Sequence, residues 1–199
     1  MPPRKNPYAR PDRFTRAAKE AGFPARSVFK LEEIDRRTRL LRGGQRVLDL
    51  GAAPGSWSLY AARKIGSSGR LLAVDLEALT VVLPPGAVFV QGDALSLASE
   101  ELARFAPYDV VLSDMAPRTT GSKITDQARS FELFMRALAV AATLGGRGGS
   151  FVGKIFMSDD LPQARAELRR LYTTERLIRP EGTRAVSTEL FVVGLGKRA

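Results

Sequence analysis

Four aspartates stand at or just beyond the ends of short apolar runs, and a lysine sits inside a fifth run. The runs are RVLDL (46–50), RLLAVDL (70–76), AVFVQ (87–91), YDVVLSD (108–114) and GSFVGKIF (149–156); the polar residues are Asp49, Asp75, Asp93, Asp114 and Lys154. Carboxylates so placed can accept hydrogen bonds from the hydroxyls and amines of a bound ligand. A desolvated lysine crowded by a second cation can take a proton from a substrate. The chain has no His and no Cys. That excludes Ser-His-Asp triads, thiolate nucleophiles, disulfides and zinc sites built on either residue. Acid–base chemistry must fall to Lys, Asp, Glu or Tyr, and nothing in the sequence calls for a metal.

The first run leads into D-L-G-A-A-P-G-S-W (49–57). Gly51 and Gly55 free the backbone for a tight turn that lets a ligand approach the next helix. The dinucleotide pattern G-x-G-x-x-G is absent, and Pro54 removes one amide that could cradle phosphate. A ligand without a pyrophosphate suits such a loop, and S-adenosylmethionine is one. Asp75 comes 24 residues after Gly51, where an acid can bond a ribose diol, and Asp93 is placed to accept from the adenine amino group. A second glycine pattern, G-G-S-F-V-G-K-I (148–155), fails as a triphosphate loop. Ile155 replaces the Ser or Thr that would hold Mg²⁺, and Phe151 and Val152 read as strand.

These residues need a scaffold that brings strand ends together. A sixth apolar run, ELFVVGLG (189–196), joins the other five, and helical spacing covers about 56–65, 97–105, 126–143 and 159–172. Strands alternating with helices predict an α/β chain with a mainly parallel sheet covered on both faces. In such sheets the binding crevice opens at the carboxyl ends of the strands. Upstream, residues 1–10 hold three prolines and no apolar period, so a flexible basic arm is expected. A helix over about 11–21 should end at Gly22 with Pro24 beyond, and Ser27 could cap a second. The expected organisation is the arm, then one domain over 11–199, with a basic helical extension (11–45) ahead of the catalytic sheet (46–199).

Of 199 residues, 31 are Lys or Arg and 21 are Asp or Glu, a net charge of +10. Residues 1–45 alone carry 12 basic and 5 acidic side chains, a net of +7. Such a concentration attracts phosphate backbones, so Arg10, Arg13, Arg16, Lys19, Arg26 and Lys30 are candidate RNA contacts. No apolar run approaches the roughly 20 residues of a membrane span, and no apolar segment follows the basic N-terminus as in a secretory signal. A cytoplasmic chain is expected. No coiled coil or exposed apolar run points beyond a monomer.

Three segments taken together, V-L-D-L-G-A-A-P-G-S-W-S, S-D-M-A-P (113–117) and G-S-F-V-G-K-I-F, resemble the FtsJ/RrmJ family of ribosomal RNA 2′-O-methyltransferases. A-R-S-V-F-K-L-E-E-I (25–34) is similar to the family's segment bearing its first catalytic lysine, and R-A-V-S-T-E-L-F-V-V (184–193) to the one bearing its glutamate. The resemblance runs from about residue 11 nearly to the end. It implies a Rossmann-like class I methyltransferase fold, S-adenosylmethionine as cofactor, and the catalytic set Lys30, Asp114, Lys154 and Glu189, with Lys154 as proton acceptor. It also implies cofactor contacts at Gly55, Trp57, Asp75, Asp93 and Asp114, beside Gly51 from the loop. Its implied substrate is a uridine in large-subunit ribosomal RNA, within the large ribosomal subunit. Ser56 stands where relatives often have Gly, and the R-T-T-G-S-K loop after S-D-M-A-P also departs from the family pattern. Other readings are a non-catalytic RNA-binding or ribosome-assembly factor, or a methyltransferase for tRNA or mRNA. Base methyltransferases acting on amino groups commonly use an Asn/Asp-Pro-Pro-aromatic loop, and Asp114-Met115-Ala116-Pro117 lacks that aromatic. A small-molecule methyltransferase would have no need of the basic extension.

Overall fold

The computed structural model describes residues 13–184 and 187–199, so the expected arm, with Arg10, lies outside the described residues. In chain order the elements are α1 (Arg13–Glu20), α2 (Val28–Thr38), β1 (Arg46–Leu50), α3 (Ser56–Ile65), β2 (Arg70–Asp75), β3 (Ala87–Gln91) and α4 (Ser99–Leu102). They continue with β4 (Tyr108–Ser113), α5 (Lys123–Leu144), β5 (Gly145–Phe156), α6 (Leu161–Leu171), β6 (Tyr172–Ile178) and β7 (Glu189–Lys197). One seven-stranded sheet runs β3-β2-β1-β4-β5-β7-β6. The first five are parallel neighbours, whereas β7 lies antiparallel to both β5 and β6.

Alternation along the strands divides the core into two layers. Val47, Leu71, Val110, Val152, Phe191 and Val193 pack with Leu31, Ile34 and Trp57 from α2 and α3. Leu48, Leu72, Val111, Phe151, Ile155 and Val192 pack with Phe134 and Leu138 of α5 and with Leu168 of α6. Both faces are thus covered, which is why the strands read as nearly continuous apolar runs. Each fully buried Leu or Phe contributes roughly 1.5–3 kcal/mol to this packing.

The basic extension is fastened to the sheet layer by polar contacts. Ser56 Oγ accepts the amide of Ala25 (2.9 Å) and donates to its carbonyl (3.1 Å). The Trp57 indole N–H donates to the Ser27 carbonyl at 2.9 Å. Buried Asp35 accepts from the Leu41 amide (2.8 Å) and the Tyr60 hydroxyl (3.0 Å). Together these bonds fix where α2 crosses α3, and so where Lys30 projects.

The elements depart from expectation in four places. Ser27 precedes α2, but its backbone is already helical (φ −58°, ψ −22°) and its hydroxyl makes no capping bond. A capping side chain works from an extended backbone. The helix expected over 97–105 is only Ser99–Leu102, where the Tyr108 hydroxyl donates to the Leu102 carbonyl at 2.6 Å. The fifth strand starts at Gly145, earlier than the apolar run. Strand β6 carries no apolar signal, because only Tyr172 and Ile178 of its seven residues are buried. An edge strand of that kind needs little hydrophobicity to pair.

Candidate active site

The carboxyl ends of β1, β2, β3 and β4 enclose a cavity of about 410 Å³ lined by Gly51, Asp75, Asp93, Asp114 and Met115, among others. Gly51 has φ 79°, and a Cβ there would stand 2.7 Å from Met115 Cγ and 2.9 Å from Met115 N. Only glycine lets the β1–α3 loop pass so close to the chain leaving β4. Asp75 accepts the Ala53 amide at 2.8 Å and the Glu77 amide at 2.9 Å, one on each oxygen. Asp93 accepts the Leu95 amide at 2.9 Å. A carboxylate oxygen has a second lone pair, so each loop amide holds its acid in place and leaves capacity for a ligand hydroxyl or amine. Rigid acceptors around a cavity of this volume match the ribose diol and amino groups of S-adenosylmethionine.

Gly55 and Trp57 do not line this cavity. Gly55 precedes α3 at φ 112° and abuts Val81, whose Cγ2 a Cβ would meet at 2.5 Å. Trp57 is 2% exposed, and its ring lies 5.6 Å from that of Phe191. The indole belongs to the core, holding the α1–α2 turn to α3.

Beneath the cavity floor Asp49 is completely buried. Ser58 Oγ donates to its Oδ2 at 2.6 Å, and Oδ1 has no hydrogen-bond partner among the described residues. Burial, and after it the negative charges of Asp114 and Asp75, push this carboxyl up to about 7 despite the Ser58 bond.

Beyond Asp114 the sheet order places Lys154 on β5 and Glu189 on β7. Lys154 Nζ lies 2.9 Å from Asp114 Oδ1 and donates to the Asp114 carbonyl at 2.5 Å; the lysine side chain is 7% exposed. Lys154 pairs across the ladder with Phe191, and Phe156 pairs with Glu189. Residues two apart share a strand face, so Lys154 and Glu189 lie on the same face of the sheet, the one α2 covers. From α2, Lys30 Nζ reaches Glu189 Oε1 at 2.5 Å and stands 6.0 Å from the centre of the Phe191 ring. The four expected side chains therefore form two ion pairs, one anchored on β5 and the other on its neighbour β7.

Lys30 and Glu189 also line a second cavity, of about 530 Å³, with Arg26, Thr119, Lys123, Asp126, Gln127, Phe156, Arg184 and Thr188 in its wall. Arg26 donates to the Gly182 carbonyl. Burial and then Arg184 lower it from its ordinary value, while Glu189 acts the other way. The Asp126 carboxylate binds the Thr120 amide (2.8 Å) and hydroxyl (2.9 Å), and the amide chiefly holds it below its usual range. That pins the loop after β4 against α5. Residues 119–125 carry no sequence signal beyond the unusual R-T-T-G-S-K loop. Of the expected RNA contacts, Arg26 and Lys30 line this cavity. Arg13, Arg16 and Lys19 are exposed on α1 outside it, with Arg13 over the Phe14 ring at 4.8 Å.

The FtsJ-like methyltransferase family matches residues 23–197. The chain belongs to that family. This methyltransferase is 70% identical over 195 residues to "Ribosomal RNA large subunit methyltransferase E" of Sorangium cellulosum, covering 98% of this chain and 92% of that protein. It is 50% identical over 188 residues to the protein of the same name from Oleidesulfovibrio alaskensis, covering 93% and 91%. A crystal structure titled as a ribosomal RNA methyltransferase from Plasmodium falciparum superposes with a TM-score of 0.76 at 21% identity, covering 88% of this chain and 98% of that one. That likeness carries the fold alone.

Proposed function

We propose that this methyltransferase transfers the methyl group of S-adenosylmethionine to a ribose 2′-hydroxyl of large-subunit ribosomal RNA, a uridine by family resemblance. The observation that carries the reading is the pairing of Lys154 with Asp114 and of Lys30 with Glu189, between an acid-lined cavity and a basic one. The names of the relatives support the choice of RNA.

S-adenosylmethionine, when bound, supplies a methyl group already activated on a sulfonium. Asp75 and Asp93 hold the nucleoside end, and Gly51 admits it to the loop. Asp114 holds the Lys154 side-chain nitrogen in place through both its carboxylate and its carbonyl. What remains for the protein is to hold the ribose oxygen in line with the methyl carbon and to receive the hydroxyl proton. Lys154 Nζ receives it. Proton acceptance uses the lone pair on Nζ. Glu189 anchors Lys30 at the mouth of the basic cavity, where its charge steers the ribose and its phosphate. Arg26 and the α1 face extend that attraction along the RNA. All four site residues come from one chain, which fits action as a monomer. Among the described residues no helix is long and apolar enough to cross a membrane, and the reading places the enzyme in the cytoplasm with its substrate.

Incubating the protein with cofactor and large-subunit ribosomal RNA, then mapping by nuclease, should show one protected 2′-O-methyl ribose. A methylated base, or no transfer to any RNA, would refute the reading.

A further inference from the structure

A third cavity, of about 350 Å³, opens at the opposite edge of the sheet, among the starts of β4 and β5 and the end of β7. Arg39 and Arg42 reach it from the turn after α2, and Arg147 from the start of β5. All three are exposed, and among the described residues none makes an ion pair. Asp109 is the one acid in the wall, and its Oδ2 already accepts the Arg46 amide at 2.7 Å. Gly148, also in the wall, has φ 78°, with nothing within 4 Å of the place a Cβ would take.

Arg39 adds a separate sign. It terminates α2 with a left-handed backbone, φ 53° and ψ 45°. That conformation is strained for a residue with a Cβ and usually falls to glycine or asparagine. The C-terminal dipole of α2 does not require it, because Arg36 and Arg37 already occupy the last turn.

From the fold, this cleft is remote from the catalytic ion pairs. Strands β1 and β4 have five and six residues, and at about 3.3 Å per residue they separate the two edges by roughly 17–20 Å. That exceeds the Debye length of about 8–10 Å at ordinary ionic strength. The arginines therefore do not tune the methyl-transfer site, and one nucleotide cannot touch both edges.

We propose that the Arg39–Arg42–Arg147 cleft binds the phosphate backbone of the same RNA whose ribose is methylated, at a second site remote from the reacting nucleotide. This rests on the RNA reading above and adds that the substrate is large enough to pass from one edge of the sheet to the other. Three convergent guanidiniums without acid partners suit phosphate oxygens.

The test compares wild type with the triple variants Arg39→Gln/Arg42→Gln/Arg147→Gln and Arg39→Lys/Arg42→Lys/Arg147→Lys. Melting and cofactor binding establish that each is folded. Affinity for a long large-subunit RNA fragment is then measured against salt, beside methyl transfer to a short hairpin carrying only the target region. The glutamine variant should lower the log–log salt slope for the long RNA by roughly 2–2.7, at roughly 0.7–0.9 for each of three phosphates no longer neutralised, and methylate the hairpin like wild type. The lysine variant should keep the wild-type slope, because counterion release follows charge. An unchanged slope in the glutamine variant, or an equal loss in both variants, overturns the proposal while leaving the methyltransferase reading intact. So does weakened association with assembled large subunits but not with protein-free RNA, since the partner would then be an acidic protein surface. Wild type that binds no RNA at all removes both readings.

Discussion

The cofactor-side cavity and the Lys30 cavity differ in how their polar groups arrive. On the acid-lined side, Gly51, Asp75, Asp93 and Asp114 each lie at or just beyond the carboxyl end of a parallel strand, so four consecutive strand–loop units deliver them to one rim. Backbone amides do the positioning, as at Asp75 and Asp93. On the substrate side, Lys30 comes from a helix before the sheet, Lys154 from β5 and Glu189 from β7, the strand that reverses direction. Ion pairs do the positioning there. One cavity is a property of local motifs, and the other of tertiary assembly.

Variants at the junction test this division most severely. Lys154→Ala should fold and bind cofactor, yet lose methyl transfer by about 10²-fold or more in single-turnover assays. Lys154→Arg should be as slow, because guanidinium keeps its proton in a protein. An active Arg variant would show that the position supplies charge, not proton acceptance. On the cofactor side, Asp75→Ala or Asp93→Ala should weaken S-adenosylmethionine by roughly 1–3 kcal/mol in calorimetry, the cost of a missing or stranded hydrogen-bond partner. RNA affinity should hardly move. Normal cofactor binding in both variants would move the cofactor to another cavity.

Weaker effects sharpen the same comparison. Reversing Arg13 and Arg16 to Glu should lower the salt slope of RNA binding, by roughly 0.7–0.9 for each phosphate that α1 no longer neutralises, and leave cofactor affinity alone. If the slope stays constant, α1 is a solvated face. A separate test concerns Asp49. Its folded value, about 7, lies above that of the unfolded chain, so the folded state holds a proton that the unfolded state releases. Its stabilising contribution is complete below the ordinary carboxylate range and is lost as pH rises through about 7. The melting temperature of wild type relative to Asp49→Asn should therefore fall between pH 5 and pH 8, measured without cofactor. A pH-independent difference would mean that Asp49 is charged throughout.

What could be read from the sequence follows the same line. Apolar runs located six strands, and residues ending those runs marked the acid-lined rim. The Lys30–Glu189 pair came only by resemblance, because no local spacing reveals that α2 will cover the β7 end of the sheet. Trp57 has a packing role that the motif does not reveal. Its indole lies in the core and bonds Ser27, serving Lys30 through the helix it seats. The wall at Thr119–Gln127 was illegible because its order comes from Asp126 binding a loop six residues upstream, a pairing that leaves no periodic trace. Strand β6 escaped because its partner, and not its composition, makes it a strand.

The placement of β7 also sets an order of assembly. It is the last strand in the chain, yet it lies between β5 and β6. Before residues 189–197 insert, β5 is an open edge, β6 has no neighbour to pair with, and Lys30 lacks its counter-ion. The acid-lined rim needs none of these strands beyond β4. The Lys30–Glu189 pair therefore exists only in the closed sheet, whereas the residues of the rim meet on strands that β7 does not touch.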